Sequence, residues 1–259
     1  MDMEQLKKKI GFICDMDGVI YHGNRVLPGV PEFVNWLIDN DKRFVFLTNS
    51  AERTPQELSM KLARMGLTVS PDHFYTSAMA TAEFLNTQKP GCTAYVIGEA
   101  ALTKALYDQG IYMNDVNPDY VVMGETRTYS FEKLEKAIDL VLKGAKLIGT
   151  NPDITGPSEK GIIPATGALI APVEIATGKK AYFVGKPNPL IVRHGLTKLG
   201  CHGAEIAFVG DRMDTDIIAG IESNIDTVLV LSGVTRREDI ERYPYCPKYV
   251  LDGVGDIIK

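Results

Sequence analysis

Ile10-Gly11-Phe12-Ile13-Cys14-Asp15-Met16-Asp17-Gly18-Val19 is the stretch on which the fold turns. An apolar run stops at two carboxylates and a glycine. The run from Ile10 to Cys14 is apolar throughout, the pattern of a strand covered on both faces of a parallel sheet. Residues two apart in extended chain point the same way, so Asp15 and Asp17 can address one small ligand, and Gly18 lets the backbone turn away. Aspartate and glycine also make ordinary surface turns, so the stretch needs support from other strand ends. An EF-hand loop is excluded, because Val19 stands where a carboxylate or carboxamide is required and no glutamate closes the loop.

That support comes from three further apolar runs. Phe44-Val45-Phe46-Leu47 ends in Thr48-Asn49-Ser50, Tyr182-Phe183-Val184 in Gly185-Lys186-Pro187, and Ile206-Ala207-Phe208-Val209 in Gly210-Asp211, with Asp216 one turn later. Helices are expected over about 31–40 and after Thr54, where Pro55 and Glu57 complete an N-terminal capping pattern. This β-α-β order with right-handed crossovers makes the strands parallel and sets Asp15 and Thr48 on one rim, where open α/β sheets bind ligands.

Between the second and third runs lies another β-α series. Strands are expected at Ala94 to Ile97, Tyr120 to Met123 and Lys146 to Ile148, with helices at about 77–87, 99–109, 130–143 and 167–176 and a Gly/Pro-rich loop before the last. The fold class is α/β, a Rossmann-like parallel-sheet core with an inserted α/β domain. Residues 1–79 and 184–259 form the core and 80–183 the insertion, with breaks near Ala80 and Phe183.

Composition narrows the function. At 259 residues and 45% hydrophobic the chain can bury a full core. A net charge of -5 without basic runs argues against a nucleic acid polymer or an anionic membrane as partner and leaves small-molecule chemistry as the default. The four cysteines and four histidines show neither disulfide nor zinc spacing. Met1 to Lys9 is polar and charged, unlike a signal peptide, and Gly161 to Val173, the longest uncharged stretch, is too short to span a bilayer. A soluble cytoplasmic protein is expected, and a homo-oligomer is left open.

The residue types fit phosphoryl transfer through an enzyme carboxylate. Asp15 serves as nucleophile, dividing one displacement into two. Its repulsion from a phosphate dianion calls for a hard divalent cation, held by Asp15, Asp211 and a backbone carbonyl at Asp17; magnesium (Mg) fits that set. Lys186 and the Thr48 hydroxyl hold phosphoryl oxygens, and Asp17 is the general acid and base.

The motifs Asp15-Met16-Asp17-Gly18-Val19, Leu47-Thr48-Asn49-Ser50, Gly185-Lys186-Pro187 and Gly210-Asp211-x-x-x-Thr215-Asp216 resemble the four motifs of the haloacid dehalogenase-like hydrolases. Tyr75 to Thr81, Asn117-Pro118-Asp119, Thr150 to Asp153 and Leu229 to Val234 look like the NagD-like subfamily. The resemblance implies a phosphatase acting on a small phosphorylated metabolite, a nucleoside monophosphate or sugar phosphate. It implies Asp15, Asp17 and Lys186 as catalytic residues and Thr48, Asn49 and Ser50 as phosphate or substrate contacts. Asp15, Asp17 and Asp211 become the magnesium ligands, with Asp216 supporting them from behind, and the insertion becomes a cap closing over the rim. Asn151 to Asp153 and Glu125-Thr126-Arg127, each following a cap strand, are candidates for leaving-group contact. A receiver-like phosphoryl acceptor without turnover would be half this length and capless, and a two-lobed binding protein would leave the Asp15/Asp17 pair unexplained.

Overall fold

The computed structural model describes residues 3–158 and 161–259. The chain divides into two compact units, one of Met1–Thr48, Pro55–Tyr75 and Lys186–Lys259, the other of Asn49–Thr54 and Thr76–Gly185.

The first unit is built on a six-stranded sheet in the order Tyr249–Leu251, Asp226–Val230, Ile206–Gly210, Gly11–Cys14, Arg43–Thr48, Phe74–Thr76. Gly11–Cys14 is buried along its whole length and pairs in parallel with a strand on each side, Cys14 lying opposite both Phe46 and Val209. That double burial is why the segment reads as uninterruptedly apolar. On one face Phe12 packs edge-on against Phe33 and Trp36 of the helix Val30–Asp39. On the other, the helix Pro189–Leu199 approaches so closely at Gly195 that an added Cβ would lie 3.4 Å from Ile13 and Leu47.

The chain leaves Gly11–Cys14 for Arg43–Thr48 on one side and returns later as Ile206–Gly210 on the other. The order therefore reverses at the strand that ends before Asp15, and such a switch point opens a crevice at the strand C-termini.

The second unit carries its own all-parallel sheet, ordered Tyr182–Phe183, Lys146–Gly149, Tyr120–Met123, Thr93–Ile97, Tyr112–Met113. Its helices include Ser77–Gln88 and Phe131–Leu142, which start at Thr76 and Ser130; these side chains accept hydrogen bonds from the Met79 and Lys133 amides. Val121, Met123, Leu140, Ile170 and Val173 form its core.

Several elements differ from expectation. The Gly/Pro-rich segment expected as loop contains an antiparallel hairpin, Thr155–Ser158 with Gly161–Pro164; Glu159 and Lys160 between them lie outside the described residues. A two-residue-armed hairpin, Tyr21–His22 with Arg25–Val26, follows the carboxylate loop. A π-helical turn, Met213–Ile217, leads into the short helix Ile218–Glu222. Met3–Lys7 of the charged N-terminal segment is a short helix, its first two residues lying outside the described ones. Among the described residues no helix is long and apolar enough to cross a membrane.

Phe12 is fully buried between sheet and helix. Truncation in Phe12→Ala is expected to cost about 3–5 kcal/mol, seen as a lower urea midpoint with unchanged slope; a loss under about 1 kcal/mol would show that this face of the sheet is not tightly packed.

Candidate active site

Four residues of the first unit meet at the switch point: Asp15 after Gly11–Cys14, Asp211 and Asp216 after Ile206–Gly210, and Lys186, whose preceding strand Tyr182–Phe183 lies in the second unit's sheet and not, as expected, in the core. The Lys186 ammonium donates to Asp15 Oδ1 at 2.5 Å and to Asp216 Oδ1 at 2.7 Å, and all three residues are buried. Asp216 Oδ2 accepts the Asp211 and Arg212 backbone N–H groups, each at 3.1 Å. Asp211 Oδ2 accepts the Val234 N–H at 2.7 Å. One oxygen from each of Asp15, Asp211 and Asp216 lies within 4.8 Å of the others.

Local sequence explains the arrangement. The Asp15 N–H still belongs to the sheet, donating to Val209 O at 2.8 Å, so the nucleophile candidate is fixed by ladder geometry. The π-helical turn Met213–Ile217 folds Asp216 back over the end of Ile206–Gly210. Gly18 has φ +79, and a Cβ there would come within 2.5 Å of Asp211 Oδ2; at Gly233 it would come within 1.9 Å of the same atom. Both positions leave room only for hydrogen beside that carboxylate.

Burial raises the Asp15 carboxyl above its ordinary value, with Lys186 opposing and Asp216 reinforcing the rise. Burial raises Asp211 likewise, with Asp216 and Asp15 adding to it. Burial works against the Lys186 ammonium, but Asp15 and Asp216 outweigh it, so its affinity for the proton is raised. Asp17 is only partly buried; burial raises it while Lys61 and His22 pull it down. Cys14 is a buried free thiol raised by burial and then by Asp15, an inert core residue rather than a nucleophile.

Thr48 ends Arg43–Thr48, the strand neighbouring Gly11–Cys14, and is buried. The Asp17 side chain is not part of the three-carboxylate cluster, which leaves its main-chain carbonyl as the atom able to serve as the expected ligand. Asp216, expected to support the ligands, has Oδ1 on Lys186 and Oδ2 on two amides. Asn49 and Ser50 fall in the second unit, where Asn49 Nδ2 donates to Asp153 Oδ2 at 2.9 Å. Asn151 and Glu125, among the candidates for leaving-group contact, bond to one another and to the loop that starts at Asn49. Sequence reasoning missed Ser232, whose hydroxyl donates to Gly18 O at 2.7 Å, and the Val234 amide on Asp211. The Ser-Gly pair at the end of Asp226–Val230 was the available signal. His22 and Lys61, which act on Asp17, had none.

The donor set suits a hard divalent cation. With all three carboxylates ionised, as a bound cation would have them, they outnumber the one ammonium by two negative charges, and carboxylate and carbonyl oxygens are the ligands magnesium takes.

Comparison with known proteins identifies the family. A haloacid dehalogenase-like hydrolase family model matches residues 12–112, and a second HAD-hydrolase-like model matches 183–257. The chain is 46% identical to dihydroxyacetone phosphatase of Corynebacterium glutamicum, over 96% of this chain and 90% of that one. It is 45% identical to the ribonucleotide monophosphatase NagD of Escherichia coli K12, over 95% and 96% of the two chains. This chain belongs to the haloacid dehalogenase-like hydrolases. Within them it is NagD-like, for the solved NagD structure from E. coli K-12 superposes with a TM-score of 0.92 at 43% identity, covering 96% of this chain and 98% of that one. A 4-nitrophenylphosphatase structure from Thermotoga maritima gives 0.93 at 38% identity, covering 98% and 97%. These relatives of the hydrolase are phosphatases by name, acting on small phosphate substrates.

Two outcomes follow from the geometry. Gly233→Ala must displace Asp211 and is expected to lower phosphatase turnover by about 10²-fold or more, measured by phosphate release. In EDTA-treated protein the raised Asp15 and Asp211 hold protons that the unfolded chain has released above about pH 4. Their contribution to stability is therefore present at low pH and lost as pH rises toward neutrality. The melting temperature of the metal-free protein should fall from about pH 5 to about pH 7.5, and less steeply in Asp211→Asn; equal slopes would refute the linkage.

Proposed function

We propose that this protein is a magnesium-dependent phosphatase of small phosphomonoesters, nucleoside monophosphates or sugar phosphates, working through an aspartyl-phosphate on Asp15. The observation that carries this is the buried Lys186 held between Asp15 and Asp216, with Asp211 beside them.

An Asp15 oxygen attacks phosphorus as the bond to the ester oxygen breaks. The departing oxygen takes the proton of Asp17, whose raised affinity for it suits a general acid. In the second half Asp17, now ionised, takes a proton from the water that attacks the phosphorus and frees Asp15. Lys186 faces the phosphoryl oxygens, and its charge is secured at neutral pH by the two aspartates flanking it. Thr48, Asn49 and Ser50 supply further donors to the phosphate. Asp15, Asp211 and the Asp17 carbonyl would hold magnesium, which when bound offsets the repulsion between the carboxylate and the phosphate dianion. Asp216 fixes Lys186 and the Asp211 backbone rather than the ion.

The second unit takes the part of a cap, expelling water from the reacting groups. Core and cap are assigned as residues 1–79 with 184–259, and 80–183. Substrate size follows the relatives, one named for dihydroxyacetone and one for ribonucleotides. A cytoplasmic location accords with the four free cysteines.

Phosphate release should be screened with nucleotides, sugar phosphates and 4-nitrophenyl phosphate, in magnesium and in EDTA. Asp15→Asn is expected to abolish turnover while the fold persists, and Asp17→Asn to lower it by about 10²–10⁴-fold. Turnover that survives in Asp15→Asn would remove the nucleophile. Activity that EDTA leaves untouched would remove the metal.

A further inference from the structure

Glu125 and Asn151 follow two adjacent parallel strands of the second unit, Tyr120–Met123 and Lys146–Gly149. Glu125 Oε1 accepts the Asn151 Nδ2–H at 2.7 Å, and Oε2 accepts the Ala51 backbone N–H at 3.1 Å. Asn151 Nδ2 also donates to the Asn49 carbonyl at 2.7 Å, and the Ser77 hydroxyl donates to the same carbonyl. Asn151 Oδ1 in turn accepts the Asp153 N–H at 3.1 Å, and Asp153 holds the Asn49 side chain.

The residues so gripped, Asn49 and Ala51, are those that directly follow Thr48, the assigned phosphate contact. They belong to a six-residue segment with neither helix nor strand, so no ladder fixes its backbone. Side chains from about 75 to 100 positions downstream do so instead. Burial pushes the Glu125 carboxyl up to about 7, against the pull of the Asn151 and Ala51 hydrogen bonds. Glu52 adds to the rise. A carboxylate kept at such a desolvation cost is characteristic of functional sites.

We propose that Glu125 and Asn151 are positioning residues for the phosphate-contact segment: together they clamp the backbone at Asn49 and Ala51 so that the donors after Thr48 are held ready for the phosphoryl group. This rests on the phosphatase assignment for its kinetic consequence, but not for the clamp itself.

Glu125→Gln tests both. Glutamine has one acceptor oxygen where two donors must be met, so one of the two bonds is lost. Hydrogen–deuterium exchange of the full-length protein should show the 49–54 segment exchanging about tenfold faster than in the wild type. With 4-nitrophenyl phosphate and magnesium, KM should rise about tenfold, by a larger factor than kcat falls. Thr128→Ala, an exposed residue on the neighbouring turn, is the control and should match the wild type in exchange and in KM. Should Glu125→Gln not fold, Asn151→Ser, which deletes the bonds to Glu125 and to the Asn49 carbonyl, carries the same expectation.

Unchanged exchange over 49–54 would overturn the clamp. Faster exchange with unchanged KM would overturn its role in positioning phosphate contacts. A wild-type protein inactive toward every phosphomonoester would sink the phosphatase assignment, while the exchange result would still judge the clamp.

Discussion

One ammonium among three buried carboxylates is the constraint around which the first unit is built. Lys186, Asp15 and Asp216 are all buried, so solvent does little to stabilise their charges singly. Removing any member strands the others, and burying such charges seldom adds net stability compared with apolar packing. The arrangement therefore points to chemistry rather than to fold maintenance. Its electrostatics agree, since Asp15 and Asp211 are raised by burial in the absence of a cation while Lys186 is held charged by its neighbours. A divalent ion bound there would supply the positive charge that lets all three carboxylates ionise.

The sheet makes that cluster affordable in conformational terms. Asp15 is still tied into the ladder through Val209, and Asp211 follows directly on Gly210 in the strand beside it. The loops that complete the site are tied to each other in turn, Ser232 to the Gly18 carbonyl and Val234 to Asp211. Glycine at 18 and 233 is what allows two backbones to close on one carboxylate. Preorganisation of this kind costs nothing at the moment of reaction, which is why electrostatic stabilisation can be large in such sites.

Much of this was legible in the sequence because the central strands are buried on both faces. Gly11–Cys14, Arg43–Thr48, Tyr120–Met123 and Ile206–Gly210 announce themselves as apolar runs, and each meets its polar terminus abruptly. The elements that escaped are those whose existence is decided by distant partners. Tyr21–His22 and Arg25–Val26 are two residues each, too short for any period to show. Thr155–Ser158 and Gly161–Pro164 carry prolines and glycines that read as loop, and Tyr112–Met113 is a two-residue edge strand. Asp216 was recognisable as a motif residue, yet only the π-helical turn shows that it grips Lys186 with one oxygen and two amides with the other. The allocation of Asn49–Thr54 to the second unit was beyond reach for the same reason, because its partners Ser77, Glu125, Asn151 and Asp153 come from three other places in the chain.

That allocation bears on how the two units can communicate. The chain passes between them at four peptide bonds, after Thr48, Thr54, Tyr75 and Gly185. Two of these adjoin residues assigned to the phosphoryl group, Thr48 on one and Lys186 on the other. Gly185 is itself crowded, its N–H on the Thr150 carbonyl at 2.8 Å and an added Cβ within 2.9 Å of Asn151. Asn151 thus braces both connections, the start of the 49–54 segment by hydrogen bonds and the approach to Lys186 by packing.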